Sequence, residues 1–281
     1  MNGLTTPQVL AEIRDLPALP AAVTELMLSL GDGAASADRI AEKISRDQAL
    51  AAKALRLANS PFYGMPRQVS SLAEATSVLG LRMLRSVATA AGLSGAFTSP
   101  AGSGLDFSAF WRHSIGTALC AQELASALEL DADTAFTLGL VHDIGRLLLA
   151  SRFPARYAEV LELQSKQPGL LTAEAERAVM GLDHAAVGGL IAEHWRFAPA
   201  FAQAIVTHHA PPDDNADPAL DVVHVADNMA HALDLSQLDA DLVPPLSLAA
   251  WSRLRLDEAV CTPVMRRAEM QHRAVCEALG M

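Results

Sequence analysis

His142 and Asp143 stand side by side in the run Gly-Leu-Val-His-Asp-Ile-Gly-Arg (139–146), an otherwise largely apolar stretch. A carboxylate buried in such surroundings is costly without a partner, so the doublet predicts a polar or metallic neighbour. Candidate partners are scattered along the chain: His113, His184, His208, His209 and Asp227. With the doublet they make seven nitrogen or oxygen ligands, of types that suit one or two divalent metals. The mix of imidazole and carboxylate fits Fe, Mn, Zn or Ni better than Ca. Neighbouring residues of a helix point about 100° apart, an angle that is workable if the carboxylate bridges two ions. Asp143 is therefore expected to serve two metals and His142 one. His208 and His209 fall near a helix end, where distorted geometry lets both converge. His224 and His231 lie three residues before and four after Asp227, on one helical face, as candidates for orienting a ligand. Each residue alone has a plainer reading, since a single histidine on an apolar face is usually a core residue with satisfied ring nitrogens. Their joint occurrence is what points to metal. His194 and His272 read as structural or solvated.

The elements that must position these residues are helices. Strand signals are almost absent, aromatics are 5% of the chain, and Ala/Leu-rich segments carry apolar residues at three- and four-residue spacing. The pattern predicts helices at about 7–13, 20–30, 37–46, 47–57, 71–79 and 81–95, with Leu16-Pro-Ala-Leu-Pro20 as an extended lead-in to the second. Asn59-Ser-Pro-Phe-Tyr-Gly64 reads as a compact turn whose Asn59 and Ser60 satisfy frayed helix ends. The segment Thr98–Gly104, rich in Ser, Gly and Pro, is the expected boundary between two helical halves. Further helices are expected at 106–129, 132–150, 154–166, 172–180, 184–195, 198–209, 218–233, 247–256 and 262–279, the last amphipathic. The fold class is thus all-α, a multi-helix bundle of two closely packed halves, about 7–97 and 105–235, with a C-terminal helical extension over 236–281.

Composition narrows the function classes. No apolar run is long enough to span a bilayer, and the first residues lack the basic-then-apolar pattern of a signal peptide. The three cysteines, Cys120, Cys261 and Cys276, have no metal-type spacing, so a reduced, cytoplasmic setting is expected. Cys261 and Cys276 could approach in a helical hairpin, although two separately packed thiols is the simpler reading. Net charge is −11, which argues against nucleic-acid binding over the whole surface. Charge is also polarised. Basic residues from Arg39 to Arg85 cluster early, whereas Phe197 to Ser252 contains no Lys or Arg and eight aspartates. That acidic stretch favours a cation near His208, His209 and Asp227, though a solvated acidic surface would look the same. Asp38, Glu42 and Asp47 interleave with Lys43, Arg46, Lys53 and Arg56, so mutual salt bridges are expected there rather than a nucleic-acid patch.

The order His113, His142-Asp143, Asp227 resembles the motif of the HD superfamily of metal-dependent phosphohydrolases. Leu16-Pro-Ala-Leu-Pro20, Ile44-Ser-Arg-Asp47, Leu57-Ala-Asn-Ser-Pro-Phe-Tyr-Gly64 and Ala75 through Leu81 resemble the HDOD family more specifically. So does Gly181-Leu-Asp-His-Ala-Ala-Val-Gly188, followed by Trp195 and His208-His209. The likeness covers about residues 13–212. It implies an HD-like helical fold and a role in bacterial signalling as an output or scaffold module, many members of which lack a full metal set. This chain differs in matching the di-metal ligand order of HD-GYP phosphodiesterases at His113, His142, Asp143, His184, His208, His209 and Asp227. It departs from HD-GYP too. Arg146 stands where lysine is usual, Ala109 replaces an acid associated with a third metal, and Ala210-Pro-Pro-Asp-Asp follows the His pair instead of Gly-Tyr-Pro. These departures argue against cyclic-di-GMP hydrolysis.

Two functions of different class remain. One is a non-enzymatic signalling module whose helical surface binds a partner protein, with any metal structural or regulatory; self-association is left open. The other is a metal-dependent phosphohydrolase with Asp143 and Arg146 at the reacting centre, where the metals activate water and Arg146 offsets phosphoryl charge.

Overall fold

The computed structural model describes residues 3–16, 44–45, 47–97, 101–214, 217–238 and 241–281. The expected helix over 20–30, all of that over 37–46 except Ile44 and Ser45, which are helical, and most of the Leu-Pro-Ala-Leu-Pro lead-in lie outside them. Among the described residues there are helices and turns and no strand, and no helix is long and apolar enough to cross a membrane.

After α1 (Thr6–Arg14) come α2 (Gln48–Ala58) and α3 (Leu72–Ala96). Between α2 and α3, Asn59 closes the turn as anticipated. Its amide donates to the Leu55 and Val69 carbonyls and accepts from the Val69 N–H. Ser60 shares the task through its backbone, its N–H donating to the Leu57 carbonyl and its carbonyl accepting from the Tyr63 N–H, while its hydroxyl is buried without a partner. The helices expected at 71–79 and 81–95 are both present: the α3 span is interrupted at Gly80, whose φ of 73° and ψ of 158° are non-helical and comfortable only for glycine.

The centre of the molecule is α4 (Phe107–Ala127), buried nearly all round. Trp111, Ile115, Leu119 and Leu124 are fully buried, as suits a helix enclosed by others. It packs against α5 (Ala132–Val141), α11 (Pro218–Ala232) and α13 (Glu258–Leu279). Around this axis lie α6 (Ile144–Arg152), α7 (Pro154–Lys166), α8 (Thr172–Met180), α9 (His184–His194), α10 (Pro199–Thr207) and α12 (Leu248–Arg253). Aspartate N-caps start many of them, including Asp47, Asp106, Asp131, Asp183, Asp217 and Asp257. Several acids of the basic-free stretch are therefore structural: Asp217 caps α11, and buried Asp221 makes a two-pronged pair with Arg253.

Two differences from the expected pattern bear on the site. The helix anticipated over 132–150 is broken at His142-Asp143, where Asp143 has φ −97° and ψ 11° and opens α6. The helix anticipated over 198–209 stops at Thr207, leaving His208 and His209 in a turn. His142 and His208 keep helical dihedrals at the ends of their helices, and Asp143 and His209 follow where the helices stop. Elsewhere α13 begins at Glu258, four residues early, and continues through Pro263. Cys261 and Cys276 both lie on α13, so no hairpin brings them together, and all three cysteines are buried and free. His272 anchors α13 by bonding the Arg112 carbonyl at 2.8 Å, the structural role expected of it. His194 is exposed.

Of the early basic residues, Arg67 pairs with Glu74 at 2.7 Å, and Arg82 and Arg85 both reach Asp133. Asp38, Glu42, Lys43 and Arg46, four of the residues among which mutual salt bridges are expected, lie outside the described residues.

Candidate metal centre

All seven ligand-type residues meet in one buried cluster, which divides into two groups at the helix break. One gathers around Asp143: its Oδ1 lies 3.0 Å from His184 Nε2 and 3.5 Å from His208 Nε2, and His209 Nε2 sits 2.8 Å from His184 Nε2. The other gathers around Asp227: its Oδ1 lies 3.0 Å from His113 Nε2 and 3.4 Å from His142 Nε2. The doublet joins the two, with 3.7 Å between His142 Nε2 and Asp143 Oδ1. A straight helix through 132–150 would have fixed both side chains to helical directions. His142 keeps helical dihedrals and faces Asp227, while the break at Asp143 lets that carboxylate face the other group.

Ring orientation follows from what each Nδ1 touches. His142 Nδ1 lies 2.6 Å from the Gly139 carbonyl, and His208 Nδ1 2.7 Å from the Ile205 carbonyl. A carbonyl only accepts, so each Nδ1 carries a proton and each Nε2 is the atom aimed into the cluster. His184 is gripped more firmly, with both its backbone N–H (2.8 Å) and Nδ1 (2.6 Å) donating to Glu176 Oε2. Glu176 is fully buried and was not foreseen from the sequence. Its one visible signal was an acid on the inner side of the short helix before Gly181-Leu-Asp-His184. Such carboxylate–imidazole pairs raise ligand basicity and fix the ring.

The cluster is electrostatically unfinished without a cation. Asp143 Oδ1, Asp227 Oδ1 and His208 Nε2 are buried atoms within ion-pair reach of neighbours but without a hydrogen bond of acceptable geometry. An acceptor left so is unfavourable by about 1–3 kcal/mol, and more if charged. Converging lone pairs and carboxylate oxygens fit one or two divalent ions. In the metal-free protein, protons take the cation's place. Burial pushes His184 down, but the charges of Glu176 and Asp143 outweigh it and hold the ring up at about 10. Burial likewise pushes Asp143 up, yet His184 and His142 bring it well below the carboxylate range, and Asp227 behaves similarly beside His231 and His113. His209 is driven the other way, to about 2, by burial and then by His208 and His184, and burial with His231 lowers His113 as well.

Arg146 donates from Nη1 to Asp143 Oδ2 at 3.0 Å and from Nε to the Tyr157 hydroxyl at 3.2 Å. It reaches the ligands by holding one of them. His224 and His231 have different surroundings. His224 Nδ1 bonds the His208 carbonyl at 2.7 Å, and its Nε2 accepts from the Ser247 N–H at 2.8 Å, so it steadies the backbone of the His pair. His231 lies among the ligands themselves, 3.4 Å from Asp227 Oδ1. A cavity of about 390 Å³ opens onto the cluster, lined by Asp143, Arg146, His184, His209, Asp227 and His231 among others. A neighbouring one of about 520 Å³ touches His113, Arg146 and Asp241. Small molecules can therefore reach the cluster.

The HDOD domain family model matches residues 16–211. A solved HDOD domain protein of unknown function from Geobacter sulfurreducens has TM-score 0.81 at 24% identity, covering 98% of this chain and 99% of that one. A candidate phosphohydrolase from Shewanella amazonensis SB2B gives 0.73 at 26% identity over 96% and 97%. A candidate signal transduction protein from Marinobacter aquaeolei VT8 gives 0.78 at 22% identity over 98% of this chain and 65% of that one. An uncharacterized protein of Treponema pallidum (strain Nichols) is 25% identical over 258 residues, 89% of this chain and 48% of that protein, so the chain spans about half the relative's length.

Proposed function

Given that this chain belongs to the HDOD family, we propose that it is a bacterial signal-transduction module with a di-metal His/Asp centre, acting in the cytoplasm through contact with a partner protein. One observation carries the metal: Asp143 Oδ1 lies 3.0 Å from His184 Nε2 and 3.5 Å from His208 Nε2 in a group whose donor atoms are all close enough together to share one ion. His184, His208 and His209 with Asp143 would hold one ion; His113 and His142 with Asp227 would hold the other. Bound ions would supply Lewis acidity at the floor of the cavity. The chain's own groups then fix the geometry: Glu176 orients His184, the Gly139 and Ile205 carbonyls orient His142 and His208, and Arg146 restrains Asp143.

The regulatory reading is supported by the scarcity of cations around the cavity. Arg146 is engaged by Asp143 and Tyr157, and Arg177 by Asp183. That is thin provision for stabilising phosphoryl charge. The second reading, a phosphohydrolase, is favoured by the open cavity lined by both the cluster and Arg146. Elemental analysis of the purified chain should find Fe, Mn, Zn or Ni at up to two ions per chain, and Asp143→Ala should lose most of it with helix content unchanged. Metal-free protein that takes up none of these ions would sink the centre. Assays with model phosphodiesters, nucleotides and cyclic dinucleotides should show no turnover; hydrolysis that disappears in Asp143→Ala would replace the regulatory reading with the enzymatic one.

A further inference from the structure

His231 lies outside the seven residues that the ligand order selects, yet the geometry around Asp227 is incomplete without it. Asp227 Oδ1 has three imidazole nitrogens about it: His113 Nε2 at 3.0 Å, His142 Nε2 at 3.4 Å and His231 Nε2 at 3.4 Å. The group around Asp143 likewise contains three imidazoles, those of His184, His208 and His209. The parallel extends outward. His184 has its Nδ1 held by the Glu176 carboxylate at 2.6 Å, and His231 has its Nδ1 faced by Asp241 Oδ1 at 3.0 Å. A helical spacing of four residues places His231 one turn beyond Asp227 on the same face of α11, which is why both reach one point.

Resting on the metal-centre reading above, we infer that His231 is an eighth ligand of the centre, completing the set around Asp227, and that Asp241 is its positioning residue. Each carboxylate then has three imidazoles about it; the donor atoms of the Asp227 set are spread more widely than those of the Asp143 set, so loading draws His231 inward. A separate third ion between His113, His231 and Asp241 is the less economical arrangement. A neutral imidazole has one lone pair, and His113 already directs Nε2 at Asp227, so a third ion would require its imidazolate.

The assignment gives the 241–247 segment a role. Asp241 is itself set by the Ser236 hydroxyl, which donates to its Oδ2 at 2.7 Å, while Asp241, Leu242, Pro244 and Pro245 line the cavity over the cluster. At the other end, the Ser247 N–H bonds His224 of α11. The cavity wall is thus clipped to one helix at both ends, and the Asp241 clip runs through a ligand. Loading of the Asp227 set should therefore order this wall.

The test is calorimetric titration of the chelator-stripped full chain with Zn²⁺, alongside His231→Gln, His231→Ala and Asp241→Asn. Wild type is expected to take two ions. His231→Gln and His231→Ala should lose one, or bind it at least 10-fold more weakly, with the other unchanged. Asp241→Asn should keep two, with one weakened about 10- to 100-fold. Hydrogen exchange of the wild type alone should show the 241–247 amides slowing when Zn²⁺ is added, a readout independent of how the variants fold. Wild type that binds no ion overturns the metal centre itself. Wild type that binds two ions while His231→Gln also binds two at unchanged affinity overturns only the eighth ligand, and unchanged exchange at 241–247 overturns the clip.

Discussion

The proton on His184 is the residue-scale feature with the most direct consequence. Glu176 and Asp143 hold that ring protonated up to about pH 10 in the metal-free protein. The arrangement contributes stability that is fully present below about 6.5, the ordinary imidazole value, and is lost as pH rises through about 10. A metal ion needs the same nitrogen unprotonated, so binding at the Asp143 set must release this proton. Its affinity should accordingly climb about tenfold per pH unit at every pH below about 10. Glu176→Gln removes the carboxylate that makes His184 basic, and should weaken the ion about 10- to 100-fold while flattening the upper end of that rise. Competition against a chelator of known affinity across the neutral range measures both. An affinity that does not change with pH would mean His184 is not a ligand.

At the scale of elements, the site depends on how closely α6 can approach α9. A Cβ on Gly145 would overlap the His184 carbonyl and sit 2.8 Å from the Gly188 nitrogen, so these helices meet backbone to backbone. Gly145→Ala must push His184 away from Asp143. Overpacking of this kind loses about 1–3 kcal/mol, and at about 2–4 °C per kcal/mol for a domain of this size class the melting temperature should drop several degrees. The variant should also bind metal less well at the Asp143 set, whereas an unaltered melt and unaltered affinity would mean the helices are free to shift. The same contact shows what could and could not be read beforehand. His113, His142, Asp143, His184, His208, His209 and Asp227 were legible because residue types that are costly to bury stand in apolar runs. The helix interiors were legible from three- and four-residue spacing. The break at His142-Asp143 was not, because Leu138, Leu140, Val141 and Ile144 continue the apolar pattern straight across it, and the flanking Gly139 and Gly145 sit inside the two helices rather than at the turn. Glu176 and Asp241 were illegible for another reason: an acid on a short amphipathic helix or in an acidic stretch looks like solvated surface until the fold brings a histidine to it.

For the molecule as a whole, the ligands come from α4, the α5–α6 break, α9, the turn after α10, and α11, spanning residues 113 to 227. Ions held there tie together elements that are distant in sequence, whereas α2 and α3 contribute nothing to the cluster and contact each other, α5 and α13. Metal should therefore stabilise one side of the molecule more than the other. Free ion at about 100 times its dissociation constant adds about 2.7 kcal/mol, which at 2–4 °C per kcal/mol corresponds to roughly 5–10 °C. Stripping the protein with a chelator should lower its melting temperature by about that much. In the stripped state, hydrogen exchange should accelerate over 184–207 and 218–232, where local opening no longer has to release an ion, and change little over 48–58. If exchange instead accelerates evenly along the chain, the two halves open as one unit and the ions support the entire fold. If neither the melt nor the exchange responds, the buried carboxylates are satisfied by protonated histidines alone, and the cluster is a structural core feature with no metal in it.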